Sequence, residues 1–350
     1  MLCRVADSVF WMSRYLERAE NTARFIEVTS SISLGYRGRD ETLWSSLLHA
    51  GGDNENFQKT GAAATRRNVT QFLLFDRNNP NSVVSCLTNA RENARTIREN
   101  LTTPMWEAVN RFYLRVRRAA ADSDQVLSQP LPFLEQIKRS AHQVAGVTSA
   151  SWSRGEAWQF ATMGHMLERA DKTSRILDVK YFILNSEPAQ ASAGVDVIQW
   201  GALLESTSAL QMYRRTFGRI EPTNVVEFLV LNPRFPRSLR FCVRQADESL
   251  RAISGSPTHG YTNRAEQVLG QLNSQLSYAE VSNILEGGLH QFVDEFQRSL
   301  NAVGDAVAET FFQIVSPVPA ESSSAKLVEH ASELPSEQPS EQSQMQSATP

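Results

Sequence analysis

Val5-Ala6-Asp7-Ser8-Val9-Phe10-Trp11-Met12-Ser13-Arg14-Tyr15-Leu16-Glu17-Arg18-Ala19-Glu20-Asn21-Thr22-Ala23-Arg24-Phe25-Ile26 decides the fold class. Its apolar residues Val5, Val9, Met12, Leu16, Ala19, Ala23 and Ile26 recur at alternating steps of four and three. That spacing predicts one stripe of an amphipathic helix held for about six turns. Glu17, Asn21 and Arg24 cluster on one side of the wheel, flanked by Arg14 and Glu20, and Arg18 lies about 100° from Glu17. Phe10, Trp11, Tyr15 and Phe25 form a second apolar side, which predicts burial on more than one face.

The stretch comes back. Leu16-Glu17-Arg18-Ala19-Glu20-Asn21-Thr22-Ala23-Arg24 recurs 151 positions later as Leu167-Glu168-Arg169-Ala170-Asp171-Lys172-Thr173-Ser174-Arg175. Beyond it the offset becomes 156: Trp44 matches Trp200, Asn68-Val69 matches Asn224-Val225, and Pro80, Ser82 and Cys86 match Pro236, Ser238 and Cys242. At offset 159, Arg139-Ser140 and Val144 match Arg298-Ser299 and Val303. Identities kept in register over this length predict a duplicated helical unit, 1–152 and 153–316, paired about a pseudo-twofold axis.

A second stripe, Val83, Leu87, Ala90, Ala94, Ile97 and Leu101, predicts another helix, and further helical patterns cover 104–121 and 131–152. Residues 68–75 read as a short helix capped by Asn68, with a buried strand as the competing assignment. Loops are expected near 35–41, 50–60, 76–81 and 122–130. The fold class is therefore all-α, two homologous units in one helix bundle. The last 34 residues hold eight Ser, five Glu, five Pro and four Gln, so 317–350 is expected to be a disordered acidic tail.

That tail carries −4, which leaves 34 basic and 33 acidic side chains in the body, too even a balance for general nucleic-acid binding. Cys3, Cys86 and Cys242 are too few for a disulfide framework or a four-cysteine zinc site. Cys86 and Cys242 occupy matched positions in an apolar helix and read as core residues. His49, His142, His165, His259, His290 and His330 show no metal-ligand pairing. No run is long and apolar enough to span a membrane, and no apolar leader precedes the first acid, so a cytoplasmic location is expected. No phosphate-cradling loop and no dinucleotide fingerprint is present.

Candidate site residues are the motif positions Glu17, Arg18, Glu20 and Arg24 with Glu168, Arg169, Asp171 and Arg175. Arg14, Arg91, Arg95 and Arg98 are weaker candidates, the last three interleaved with Glu92 and Glu99 on what reads as a solvated face. Three roles compete for the motif: an ordinary charged helix surface, a structural ion-pair network in which Glu17 faces Arg169 and Glu168 faces Arg18, and a ligand site.

Val5-Ala6-Asp7, Trp11 to Arg24, Ala90-Arg91-Glu92-Asn93-Ala94-Arg95-Thr96-Ile97-Arg98-Glu99 and Trp106-Glu107 together resemble the bacterial alpha-E domain family, over about residues 1–315. Cys3 stands where that family usually has Ser, and His165 and Asp171 replace the counterparts of Arg14 and Glu20. The resemblance implies an all-helical, typically duplicated domain named for its Glu-Arg motif. It also implies a genomic setting with circularly permuted ATP-grasp carboxylate–amine ligases, a transglutaminase-like protein and an Ntn-hydrolase-type peptidase. The expected function is a non-catalytic partner or scaffold of such a peptide-synthesis or peptide-modification system. The alternative is a catalytic or ligand-binding subunit of the same system. No cofactor is evident, and ATP and Mg²⁺ are expected only through a partner.

Overall fold

The computed structural model describes residues 1–33, 40–186, 193–257 and 260–313, and every regular element among them is helical. The first eight helices are α1 (Cys3–Ser33), α2 (Asp40–Gly51), α3 (Asn54–Gln58), α4 (Arg66–Phe75), α5 (Val83–Thr96), α6 (Thr103–Ala121), α7 (Ser123–Ser128) and α8 (Pro130–Ser151). The next eight are α9 (Glu156–Ser186), α10 (Ala193–Ser206), α11 (Leu210–Phe217), α12 (Pro222–Leu231), α13 (Leu239–Ser254), α14 (Arg264–Tyr278), α15 (Val281–Glu286) and α16 (Leu289–Val307). A π-helical turn, Ala308–Phe312, follows α16.

Several helix starts follow from one device, a side-chain oxygen that accepts a backbone N–H left over in the first turn. Thr65, Ser82, Thr102, Ser238 and Asn263 cap α4, α5, α6, α13 and α14 in this way. Residues 68–75 are helical, not a strand, but the cap is Thr65. Asn68 lies inside the helix, and its side-chain amide donates to Ala63 O at 2.9 Å. The second stripe stops being α-helical at Thr96 and tightens into a 3₁₀ turn over Arg98–Asn100, which still buries Ile97 and Leu101. The loops expected near 50–60 and 122–130 each contain a short helix, α3 and α7. Most of the 35–41 loop and the whole 317–350 tail lie outside the described residues.

Residues Met1–Gln313 form one compact unit. Its axis is the pair of 31-residue helices α1 and α9. Around α1 pack α5, α8 and α2; around α9 pack α13, α16 and α10, while α2 also reaches α9 and α10 reaches α1. This crowding explains why α1 lacks a clean polar face: Glu17, Glu20, Asn21 and Arg24 are as buried as Val9 or Ile26. No described helix is long and apolar enough to cross a membrane.

The two long helices approach closest near Gly164, where an added Cβ would stand 2.6 Å from the carbonyl oxygen of Phe10. A Gly164→Ala substitution should push the helices apart and lower the unfolding free energy by about 1–3 kcal/mol in urea titration. Gly146, on exposed α8 surface with nothing within 4 Å, gives the opposite sign. Gly146→Ala should stabilise by about 0.5–1 kcal/mol, because only the helix propensity changes there.

Candidate functional site

The eight motif residues meet along the crossing of α1 and α9. Glu17 accepts hydrogen bonds from Arg169 Nε at 2.9 Å and Nη2 at 3.0 Å, from Asn21 Nδ2 at 2.8 Å and from Arg237 Nη1 at 3.2 Å. Across the seam Glu168 accepts from Arg18 Nε at 2.6 Å and Nη2 at 3.0 Å, and from Arg14 Nε at 2.8 Å. Glu20 accepts from Arg24 Nε at 2.9 Å and Nη2 at 2.6 Å, and from Arg237 Nη2 at 2.6 Å. Asp171 is held by Arg175 Nε at 3.0 Å and lies 2.9 Å from Lys172 Nζ.

The outer ends of the motif also make matching contacts. Arg24 Nη1 donates to Ser206 O and to Ser208 Oγ, and Arg175 Nη1 donates to Ala50 O at 3.3 Å. Beside Arg175 the backbone turns left-handed at Gly52, where a Cβ would stand 2.9 Å from Arg175 Nη1. Ser208, beside Arg24, takes a left-handed conformation as well (φ 56°) and uses its hydroxyl as the acceptor.

Burial and charge act against each other throughout this network. Burial pushes the Glu17 carboxyl up, but Arg169, with Arg237, overcomes it and holds the group well below the usual carboxylate range. Glu168 is held down likewise by Arg18 and Arg14 against burial, and Glu20 by Arg237 and Arg24. For Asp171 the opposing cations are Lys172 and Arg175. Burial lowers the Arg237 guanidinium to about 10, with repulsion from Arg169 and Arg24 adding to the effect of burial and Glu20 opposing it. His165 sits 3.3 Å from Glu17 Oε2, yet burial, helped by Arg169, brings its imidazole down to about 4. It is therefore neutral at pH 7.

Two concavities open on the network. One, about 320 Å³, lies between α1, α6, α8 and α9, with Gln245 of α13 at its edge. Met12, Leu16, Leu101, Met105, Val144, Trp152 and Trp158 make most of its wall, and Ser13, Glu17, Glu20, Thr148, Thr162, His165 and Gln245 are its polar margin. The other is a cleft of about 190 Å³ lined by Arg14, Arg18, Asn81, Asp171, Lys172 and Arg175. Arg91, Arg95 and Arg98 take no part in either. Arg91 bonds Asn110 and Glu92 beneath Trp106 and Tyr113, Arg95 pairs with Glu92, and Arg98 donates to Leu101 O. Cys86 and Cys242 are fully buried, and burial pushes both thiols up to about 12. His290, one of the histidines that show no metal-ligand pairing in the sequence, lies 2.7 Å from Asp178 and 3.6 Å from Asp294. Each of its ring nitrogens thus faces a carboxylate.

Arg237, His142, Lys172 and Asn81 join the site without having been singled out in the sequence. Arg237 had one legible signal. It stands between Pro236 and Ser238, in the register where Asn81 stands between Pro80 and Ser82.

Two outcomes follow from the geometry. Removing one member of a buried, hydrogen-bonded ion pair strands the other, so Glu17→Gln should cost about 3–5 kcal/mol in denaturant titration. His165 is depressed from 6.5 to about 4 in the folded chain, so between those values only the unfolded chain takes up its proton. Stability should therefore fall as pH drops from about 6.5 to 4. The carboxylates, whose values are depressed, add their own loss below about 4.3, the ordinary glutamate value. Melting temperature against pH should lose the upper part of this slope in His165→Gln and keep the lower part.

A family model described as a predicted alpha-helical domain with a conserved ER motif matches residues 1–312. Uncharacterised proteins of Mycobacterium bovis and Mycobacterium tuberculosis (strain CDC 1551) are each 24% identical over 334 aligned residues. A further uncharacterised protein, from Mycobacterium tuberculosis strain H37Rv, is 23% identical over the same length. Each alignment covers 88% of this chain and 36% of the relative, so the chain spans about a third of the length of the curated relatives it matches. No solved structure matches the chain. With the Glu-Arg pair of the motif present twice, and a match that runs across all sixteen α-helices of the described residues, the chain belongs to the Alpha-E family.

Proposed function

We propose that this chain is a non-catalytic partner subunit of an ATP-grasp-type peptide-synthesis or peptide-modification system. The observation that carries the first half of this reading is the closure of the charge network. All four motif carboxylates accept from guanidinium groups and are held well below the usual range, so none is matched to proton transfer near neutral pH. The two buried thiols, pushed up to about 12, are poor nucleophiles. The choice of system rests on what the family resemblance implies, a setting beside circularly permuted ATP-grasp ligases, transglutaminase-like proteins and Ntn-hydrolase-type peptidases. ATP and Mg²⁺ would enter on the ligase.

A second reading, a ligand-binding subunit of the same system, is favoured by the 320 Å³ cavity beside Glu17 and Glu20. We also infer that the chain arose by tandem duplication. The paired contacts of Arg24 with Ser206 O and Arg175 with Ala50 O, each partner 156 positions from the other, support it.

The purified chain should release no phosphate from ATP and Mg²⁺ in the presence of amino acids. An ATP-grasp protein from the same cell should co-elute with it in size-exclusion chromatography and change its ligation rate when the chain is added. Turnover by the chain alone, lost in a folded Glu17→Gln variant, would overturn the non-catalytic assignment.

A further inference from the structure

Every hydrogen bond and ion pair that reaches Glu20 from the described residues ends on one oxygen. Arg24 Nε and Nη2, Arg237 Nη2 and His142 Nε2 all converge on Oε1, the last at 3.3 Å. Oε2 has no donor among the described residues, although the side chain is 97% buried and lines the apolar cavity. A carboxylate offers about four acceptor sites, so half of this group's capacity is left toward the cavity. Ser13 and Thr162 lie on the same margin.

We propose that this cavity binds a hydrophobic primary amine, its ammonium on Glu20 Oε2 and its body against the cavity's apolar wall. The proposal rests on the ligand-binding reading above and gives that ligand its chemistry. The volume, about 320 Å³, sits at the small end of ligand sites, which suits a body the size of one aromatic side chain. The indoles of Trp152 and Trp158 meet edge to face at 6.4 Å, and Trp152 is anchored by Nε1 donating to Asn100 O at 2.9 Å.

The head group follows from what lines the cavity. Its charged lining residues are Glu17 and Glu20, and no Arg or Lys reaches it. Arg24, Arg169 and Arg237 spend their contacts on Oε1 of Glu20, on Glu17 and on backbone and side-chain acceptors behind them. An anionic head group would meet carboxylate oxygens; an ammonium meets one that is ionised and open. Because three guanidiniums surround two carboxylates, the attraction is one of contact rather than of net field, and binding should depend weakly on salt.

The test uses the full chain and four probes that share a phenyl body: 2-phenylethylamine, 2-phenylethanol, 3-phenylpropanoate and toluene. Binding is followed by tryptophan fluorescence and calorimetry. The amine should bind about tenfold more tightly than the alcohol, one charge-assisted hydrogen bond apart, and the carboxylate more weakly than either. Ala145→Trp, at an exposed residue on the cavity margin, should abolish binding of all four without lowering the melting temperature. Glu20→Gln should bring amine and alcohol to equal affinity; because it also strands Arg24 and Arg237, the probe order on the unaltered chain and the Ala145→Trp result stand as evidence should that variant fail to fold. Toluene and the alcohol binding as well as the amine would overturn the amine and leave the ligand-binding reading intact. Tighter binding of the carboxylate would overturn it too. No binding of any probe would remove both.

Discussion

The crossing of α1 and α9 depends on two glutamates exchanged between them. Glu17 goes to Arg169 and Glu168 goes to Arg18, each pair bidentate and buried among apolar side chains. Burying ions is unfavourable unless each finds its partner in good geometry, and a pair that fits only one register penalises every other. The aliphatic stripes of α1 and α9 would tolerate some sliding and rotation. The guanidinium forks do not, because their two parallel bonds fix both distance and plane. Gly164 then lets the backbones close to contact at Phe10, and the flanking helices α5, α8, α13 and α16 pack onto a seam already set.

This division of labour explains what the sequence shows and what it hides. Helix periods are local, so α6 and α8 were legible nearly to the residue and α1 over the Val5–Ile26 stripe, short of its end at Ser33, and the doubling of Leu-Glu-Arg-Ala put the Glu17–Arg169 and Glu168–Arg18 pairs within reach of a wheel diagram. Caps are local too, but several hydroxyls compete. Thr65 takes the N-terminus of α4 because Asn68, three residues on, supplies the N–H that Thr65 accepts. Long-range polar contacts carry no periodic signal. Arg237 lies in the turn before α13 and reaches Glu17, Glu20 and Asn21 from 216 to 220 positions away. His142 on α8 and the cavity walls Trp152 and Trp158 were equally invisible, because each becomes part of a site only when α8 and α9 lie against α1.

Pairing with guanidinium groups also limits chemistry. A catalytic carboxylate needs either a raised value to serve as acid or a matched one to serve as base. At this seam cations overcome burial at Glu17, Glu20, Glu168 and Asp171, and all four remain ionised far below neutral pH. Burial shifts Arg237 and His165 toward the uncharged state, and of the two His165 is the one that is neutral at pH 7, at the position where α1 has Arg14. A network of this kind fixes the register of the seam.

The two ends of the seam differ in where the second cation comes from. Glu168 receives its second guanidinium from Arg14, one helical turn before Arg18 on α1, and that side chain then lines the polar cleft with Arg18, Lys172 and Arg175. Glu17 receives its second guanidinium from Arg237, which approaches from the turn before α13 and does not line the cavity. The helix position corresponding to Arg14 is then free to be His165, uncharged at neutral pH. Asn81, in the register of Arg237, bonds Arg18 and Asp53 and supplies no charge of its own. Moving one guanidinium from the helix to the turn keeps the glutamate satisfied on both sides. It also leaves one concavity cationic and polar, and the other apolar with a single open carboxylate oxygen. The seam can stay rigid while its two faces come to suit different occupants.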